Sequence, residues 1–238
     1  IYIALTIILI FLYYIFGMML FDAITHSFTT ISTGGFSNYD NSFAYFNNNI
    51  LIIAIIFMII GSLPFLVIVQ TSRKNLLVIF KDHQVRVFMT ILLIAIILIF
   101  YFANTYIDGN YIKKIVAVSF NTISIISGTG YISENFENWG NYASVLFLIL
   151  MFIGGCAGST TGGLKIFRFQ ILFKYINIHF QKMLKPHSII ASSFNGKKIN
   201  DSTYESVMSF FILYIMTFFI SALLLSFSGL DFLTCISA

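Results

Sequence analysis

Two short stretches carry chemistry in their backbone rather than in their side chains: Thr33-Gly34-Gly35-Phe36 and Gly128-Thr129-Gly130-Tyr131. Each is a glycine-centred knot closed by an aromatic residue, and the first lies in the polar, weakly charged segment HSFTTISTGGFSNYD. Glycine reaches positive φ without a Cβ penalty, so consecutive carbonyls can turn the same way and several strands can approach one axis. A ring of such carbonyls replaces the water shell of a monovalent cation and requires no charged side chain. The carbonyls of Thr33, Gly34, Gly35, Gly128, Thr129 and Gly130 are therefore the expected ion ligands.

A third stretch, GGCAGSTTGG at 154–163, holds five glycines in ten residues. Each weakens a straight helix by about 1 kcal/mol relative to Ala. The sequence thus predicts a break between a helix ending near Ile153 and another starting near Leu164. Ser159, Thr160 and Thr161 can satisfy the freed backbone groups, and Lys165 can pair with carbonyls or with an anion. A close helix contact through small residues is the alternative use of Gly154, Gly155, Gly158, Gly162 and Gly163. A phosphate-binding loop fits poorly, because Lys165 does not directly follow a glycine and no βαβ unit surrounds it.

Other chemistries find little support. Cys156 and Cys235 have no CxxC partner, and His26, His83, His179 and His187 lack metal-ligand spacing. No nucleophile lies beside a base or a metal set, so an enzyme is not expected. No transition metal, organic cofactor or nucleic-acid partner is expected either.

The elements that must hold the knots are written in the hydropathy. Of the 238 residues 58% are hydrophobic and 9% charged, far from the balance of a soluble domain. Charge-free runs cover 1–21, 41–72, 87–107, 138–164 and 206–230. Each contains an apolar stretch of roughly 20 residues, enough to cross a bilayer as a helix. Pro64 interrupts the second run and should kink it, freeing the carbonyl near Ile60. The chain opens inside a hydrophobic run and reads as a fragment.

Basic residues set the expected orientation. Arg73, Lys74, Lys81 and Arg86 follow the second run; Lys165, Arg168, Lys174, Lys182, Lys185, Lys197 and Lys198 follow the fourth. These loops are expected in the cytoplasm by the positive-inside rule. They serve first as topology signals and contacts for lipid head groups, and second as places for a partner to touch. The opposite side carries Asp22, Asp40, Asp108, Glu134, Glu137 and Asp231, an acidic mouth that would gather cations.

The pattern also repeats. A slide of 95 positions superposes Ser32 on Ser127, Gly35 on Gly130 and Phe36 on Tyr131. The order of span, short helix, glycine knot and span is preserved, and a slide of 209 starts a third copy by placing Asp22 on Asp231. Irregular backbone at membrane depth is tolerated where protein or a water-filled cavity covers it. Repeated units with such breaks belong to channels and transporters.

HSFTTISTGGFSNYD, SGTGYISENFENWG, FIGGCAGSTTGGLKIFR and the linker SLPFLVIVQTSRKNLLVIFKDHQVRVF resemble the Trk/Ktr potassium-transporter superfamily, in particular its Trk membrane subunit. The resemblance covers essentially the whole chain. It implies an all-α membrane protein built from repeated M1–P–M2 units, like a potassium channel, with re-entrant pore helices and a broken M2 helix. Residues 1–72 would be the second unit, 73–86 a cytoplasmic linker, and 87–180 the third unit. Residues 181–203 would be a second cytoplasmic loop and 204–238 the start of a fourth unit, cut before its filter. The six knot carbonyls would be a potassium filter, and 154–163 with Lys165 a gate below it. The resemblance further implies multi-pass insertion in a bacterial inner membrane, a homodimer, and a cytosolic nucleotide-binding regulatory subunit of the TrkA-like type. An ion-coupled secondary transporter of a small solute, built on broken helices, is the alternative.

Overall fold

A computed structural model of the chain describes residues 1–73, 78–185, 193–194 and 197–237. Lys74 of the first basic cluster and residues 186–192 and 195–196 of the second basic loop lie outside the described residues. The chain divides into two compact units, Ile1–Ile166 and Phe167–Ala238.

The first unit contains the two knots. Its helices are α1 (Tyr2–Ile15), α2 (Leu20–Ile31), α3 (Asn48–Ser62), α4 (Phe65–Arg73), α5 (Val78–Lys81), α6 (His83–Ala103), α7 (Tyr111–Ile126) and α8 (Asn141–Met151). Short 3-10 turns at Ser42–Tyr45 and Phe136–Trp139 precede α3 and α8. The polar residues just before the helices start them, since a side-chain oxygen there satisfies an orphan N–H of the first turn. Asn47 Oδ1 accepts from Ile50 N at 3.1 Å, and Asp82 Oδ1 accepts from Gln84 N at 2.8 Å and Val85 N at 3.2 Å. The repeat is visible in the helices: α2 ends at Ile31 and α7 at Ile126, 95 positions apart (126 − 31 = 95).

The core of this unit gathers Leu9, Phe43, Met58, Phe88, Phe120 and Phe147, all at most 2% exposed. Outward positions of α6 such as Leu93, Ile94, Ile97 and Tyr101 are exposed. A helix with that outer surface belongs in lipid. Among the described residues two helices, α6 and Asp201–Ser226 of the second unit, are long and apolar enough to cross a membrane. Counting the bent pair Asn48–Ser62 and Phe65–Thr71 as one span makes three. The expectation of five such spans is thus met differently. The apolar helices α1 and α8 are shorter, at 14 and 11 residues, and the fourth run is divided by its glycines.

Pro64 does more than kink its run. The bend between the two helical pieces is 102°, and the carbonyl of Ile60 is not freed, because Leu63 N donates to it at 3.1 Å. The carbonyls set loose are those of Gly61 and Ser62.

The second unit holds most of α9 (Ile166–Leu184), a two-residue antiparallel ladder of Ser193–Phe194 with Lys197–Lys198, α10 (Asp201–Ser226) and α11 (Phe232–Ser237). Ile171, Ile199, Tyr204 and Val207 form its small buried cluster, and the Arg168 guanidinium lies 3.6 Å above the Phe210 ring. Only 11% of the most apolar window of α10 is buried. Ile212, Leu213, Phe219, Ile220, Leu223 and Leu224 are all exposed, as expected of a helix surrounded by hydrocarbon.

Candidate functional site

The knots sit at the C-terminal ends of α2 and α7, and the helix ends fold into them. Thr33 N donates to Thr30 O at 3.2 Å and Gly34 N to Thr29 O at 2.8 Å. In the second knot Gly128 N donates to Ile125 O at 3.0 Å, and Thr129 N and Gly130 N share Ser124 O at 2.9 and 3.2 Å. Five of the six N–H groups are thus spent on capping the helices. The carbonyls are not spent: among the described residues, none of Thr33, Gly34, Gly35, Gly128, Thr129 and Gly130 accepts a hydrogen bond through its carbonyl. The flanking carbonyls do accept, Ser32 O from Thr33 Oγ1 at 2.7 Å, Phe36 O from Thr29 Oγ1 at 3.0 Å, and Tyr131 O from Ser124 Oγ at 2.8 Å.

Backbone angles explain how neighbouring carbonyls can turn one way. Positive φ occurs at Thr33 (52°) and Gly35 (71°) in one knot, and at Gly128 (68°) and Gly130 (82°) in the other. The alternation matches residue for residue under the slide of 95. Thr33 is β-branched, a type that rarely accepts this region, so local strain is held at the knot. The knots also touch one another: a Cβ on Gly35 would lie 1.6 Å from the Thr129 carbonyl oxygen.

Side chains fix the knots from behind. The Tyr131 hydroxyl bonds to Thr29 Oγ1 and, at 3.2 Å, to Thr30 Oγ1, and donates to His26 O at 3.3 Å. The aromatic of the second knot is therefore anchored on the helix that leads into the first. Its ring packs against Phe43, tilted by 39° with centroids 4.1 Å apart. His26, wholly buried, bridges Asp22 O at 2.8 Å and Ser37 Oγ at 3.0 Å through its two ring nitrogens. Asn121 Nδ2 donates to Ser133 Oγ at 3.1 Å, and Ser133 N donates back to Asn121 Oδ1 at 3.1 Å.

The acids divide by use. The Asp22 carboxylate is buried and accepts from Asn38 Nδ2 at 2.9 Å and from Tyr39 OH at 2.7 Å. The bond pushes the half-buried Tyr39 phenol up to about 12, so it remains a neutral donor. Glu134 pairs with Lys113 at 3.1 Å. Asp40, Asp108 and Glu137 are exposed. The described residues hold no group of three His, Cys, Asp or Glu fit to bind a metal.

The glycine-rich loop lies between α8 and α9, with its ends zipped together. Gly154 N donates to Leu164 O at 2.8 Å, Leu164 N to Phe152 O at 3.2 Å, and Ile166 N to Gly155 O at 3.1 Å. The close approach needs bare α-carbons: a Cβ on Gly154 would meet Gly162 O at 2.2 Å. Thr161 Oγ1 accepts from Gly155 N at 3.0 Å, and Ser159 Oγ donates to Cys156 O at 2.6 Å. Lys165 Nζ donates to Ser159 Oγ at 3.4 Å, to Thr161 Oγ1 at 2.9 Å and to Thr161 O. Hydroxyls and ammonium thus stitch the loop as the residue types predict.

The loop adjoins the second knot directly and the first through Gly61. A Cβ on Gly128 would be 3.5 Å from Gly162 N, and one on Gly61 would be 3.3 Å from Thr160 Oγ1 and 3.5 Å from Thr33 Cγ2. Sequence reasoning did not foresee the partners on the far side. Gly61 O accepts from Thr160 N at 3.2 Å and Thr160 Oγ1 at 3.1 Å, and Ser62 O accepts from Cys156 N at 3.0 Å. Phe65 N donates to Gly158 O, and Ala157 N donates to Gln84 Oε1, both at 3.0 Å. Pro64, which guarantees unsatisfied carbonyls before it, was the available signal for the first set. Nothing in the spacing marks Gln84.

A model of the TrkH family, described as cation transport protein, matches residues 1–237. The chain is 33% identical over 227 residues to the Trk system potassium uptake protein TrkI of Halomonas elongata, covering 94% of this chain and 46% of that protein. It is 34% identical over 228 residues to the Trk system potassium uptake protein TrkG of Escherichia coli, covering 93% and 46%. The crystal structure of the potassium transporter TrkH from Vibrio parahaemolyticus superposes with a TM-score of 0.91 at 29% identity, over 99% of this chain and 51% of that one. The chain spans about half the length of the relatives it matches.

Proposed function

The chain belongs to the TrkH family of cation transport proteins, and we propose that it forms part of a potassium path through a membrane, with the two knots as a share of its selectivity filter. The observation that carries this reading is the set of six backbone carbonyls, Thr33 to Gly35 and Gly128 to Gly130, without hydrogen-bond donors at adjoining sites. A carbonyl without an N–H donor is costly to bury unpaired, and a dehydrated monovalent cation is a partner it can take. Helices α2 and α7 end at the knots, so the negative ends of their dipoles favour a cation there.

The path works without titratable groups. An ion enters from the side bearing Asp40 and Glu137, sheds water against the carbonyls, and leaves toward the 154–163 loop. That loop, beside Gly128 of the second knot and bonded to Gly61, which neighbours Thr33 of the first, serves as the gate. Relatives are named as Trk system proteins, so further subunits are part of the reading: a second copy of the protein and a cytosolic nucleotide-binding regulator.

Uptake of radioactive rubidium, a potassium surrogate, into transport-deficient cells carrying the full-length gene tests the reading. Saturable uptake that sodium competes for poorly supports it. Uptake absent in cells whose membranes contain the protein and its partner subunit contradicts it.

A further inference from the structure

We propose that Gln84 and the Pro64 bend form a clamp that holds the 154–163 loop in place. The inference rests on the reading of that loop as the gate. Four loop residues in a run of five are tied to this part of the chain: Cys156 to Ser62, Ala157 to Gln84, Gly158 to Phe65, and Thr160 to Gly61. Two of these bonds bracket the linker closely. The chain leaves the loop at Phe65, which holds Gly158, runs through α4 and α5, and returns at Gln84, which holds Ala157. The outward and return ends of an excursion of nearly twenty residues thus grip adjacent loop residues.

The grip is strong at each end for local reasons. At the bend, proline has no N–H and ends α3, leaving Gly61 and Ser62 with acceptors that only another segment can satisfy. At the return, Asp82 caps the first turn of α6 through Gln84 N and Val85 N, which fixes the base of the Gln84 side chain. The loop is therefore not held by its own glycines alone.

Gln84 is a positioning residue, acting on the ion only through the loop. Losing one hydrogen bond of this kind shifts a two-state equilibrium by roughly five-fold. In the full-length protein, with flux normalised to the amount in the membrane, Gln84→Leu should raise rubidium flux by up to that factor and leave ion preference unchanged. Gln84→Glu, which keeps an acceptor for Ala157 N, should stay near the parent. In a background lacking three loop residues, Gln84→Leu should add nothing. Parental flux in Gln84→Leu, alongside raised flux in the loop deletion, would overturn the clamp and leave the gate standing. An equal rise in both backgrounds would also overturn it. A loop deletion without effect on flux would remove the gate, and the clamp with it.

Discussion

At Gly35 an added Cβ would lie 1.6 Å from the Thr129 oxygen, whereas at Gly130 nothing lies within 4 Å. Both residues have positive φ, which costs a side-chain-bearing residue about 1–2 kcal/mol. Gly130→Ala should therefore insert in the membrane near parental levels and lose only part of its ion preference. Gly35→Ala must push two knots apart, so it should lose more of that preference; potassium and sodium fluxes measured side by side check the order. Tyr131→Phe removes the hydroxyl that ties one knot to α2, and should cost about 1 kcal/mol of stability, read as a lower melting temperature of the purified full-length protein. The glycines were legible in the sequence because their chemistry is local. Thr33 at φ 52° was not, since no propensity puts a β-branched residue there and only the surrounding structure holds it.

The broken helices behave alike although their sequences differ. One is broken by Pro64 with a 102° bend, the other by the stretch between Met151 and Ile166. The two breaks satisfy each other's backbone groups. Pro64→Ala would let α3 run on and withdraw the carbonyls of Gly61 and Ser62 from the loop; it should raise flux without changing ion preference. Removing about three residues of 154–163 should act in the same direction by making the obstruction too short. Steady-state rubidium uptake measures both. Composition revealed that the loop breaks a helix, and residue types revealed that Ser159, Thr161 and Lys165 would stitch it. Glycine content by itself favours no one shape, yet the loop is bonded to Gly61, Ser62, Phe65 and Gln84. Contacts across 70 to 100 positions leave no periodicity to read.

Across the whole molecule, hydropathy and charge placed the chain in a membrane, and the apolar surfaces of α6 and α10 agree with that. Counting charge-free runs overstated the number of long helices, because a run reports where charge is missing and not where the backbone remains helical. The repeat survived the comparison best: pore helices ending 95 positions apart and matching positive φ angles both follow it. On the proposed reading the two knots form half of a four-membered carbonyl ring, so residues 1–238 expressed alone should give no rubidium uptake where the full-length protein gives it. The most direct test of the filter is the potassium-to-sodium flux ratio of the full-length protein carrying Gly35→Ala, Gly130→Ala, or the three-residue loop deletion. The ratio should fall in both glycine variants, more at Gly35, and remain parental in the deletion even as flux rises. A parental ratio in both glycine variants, or a changed ratio in the deletion alone, would contradict the assignment of the knot carbonyls as the ion-selecting groups.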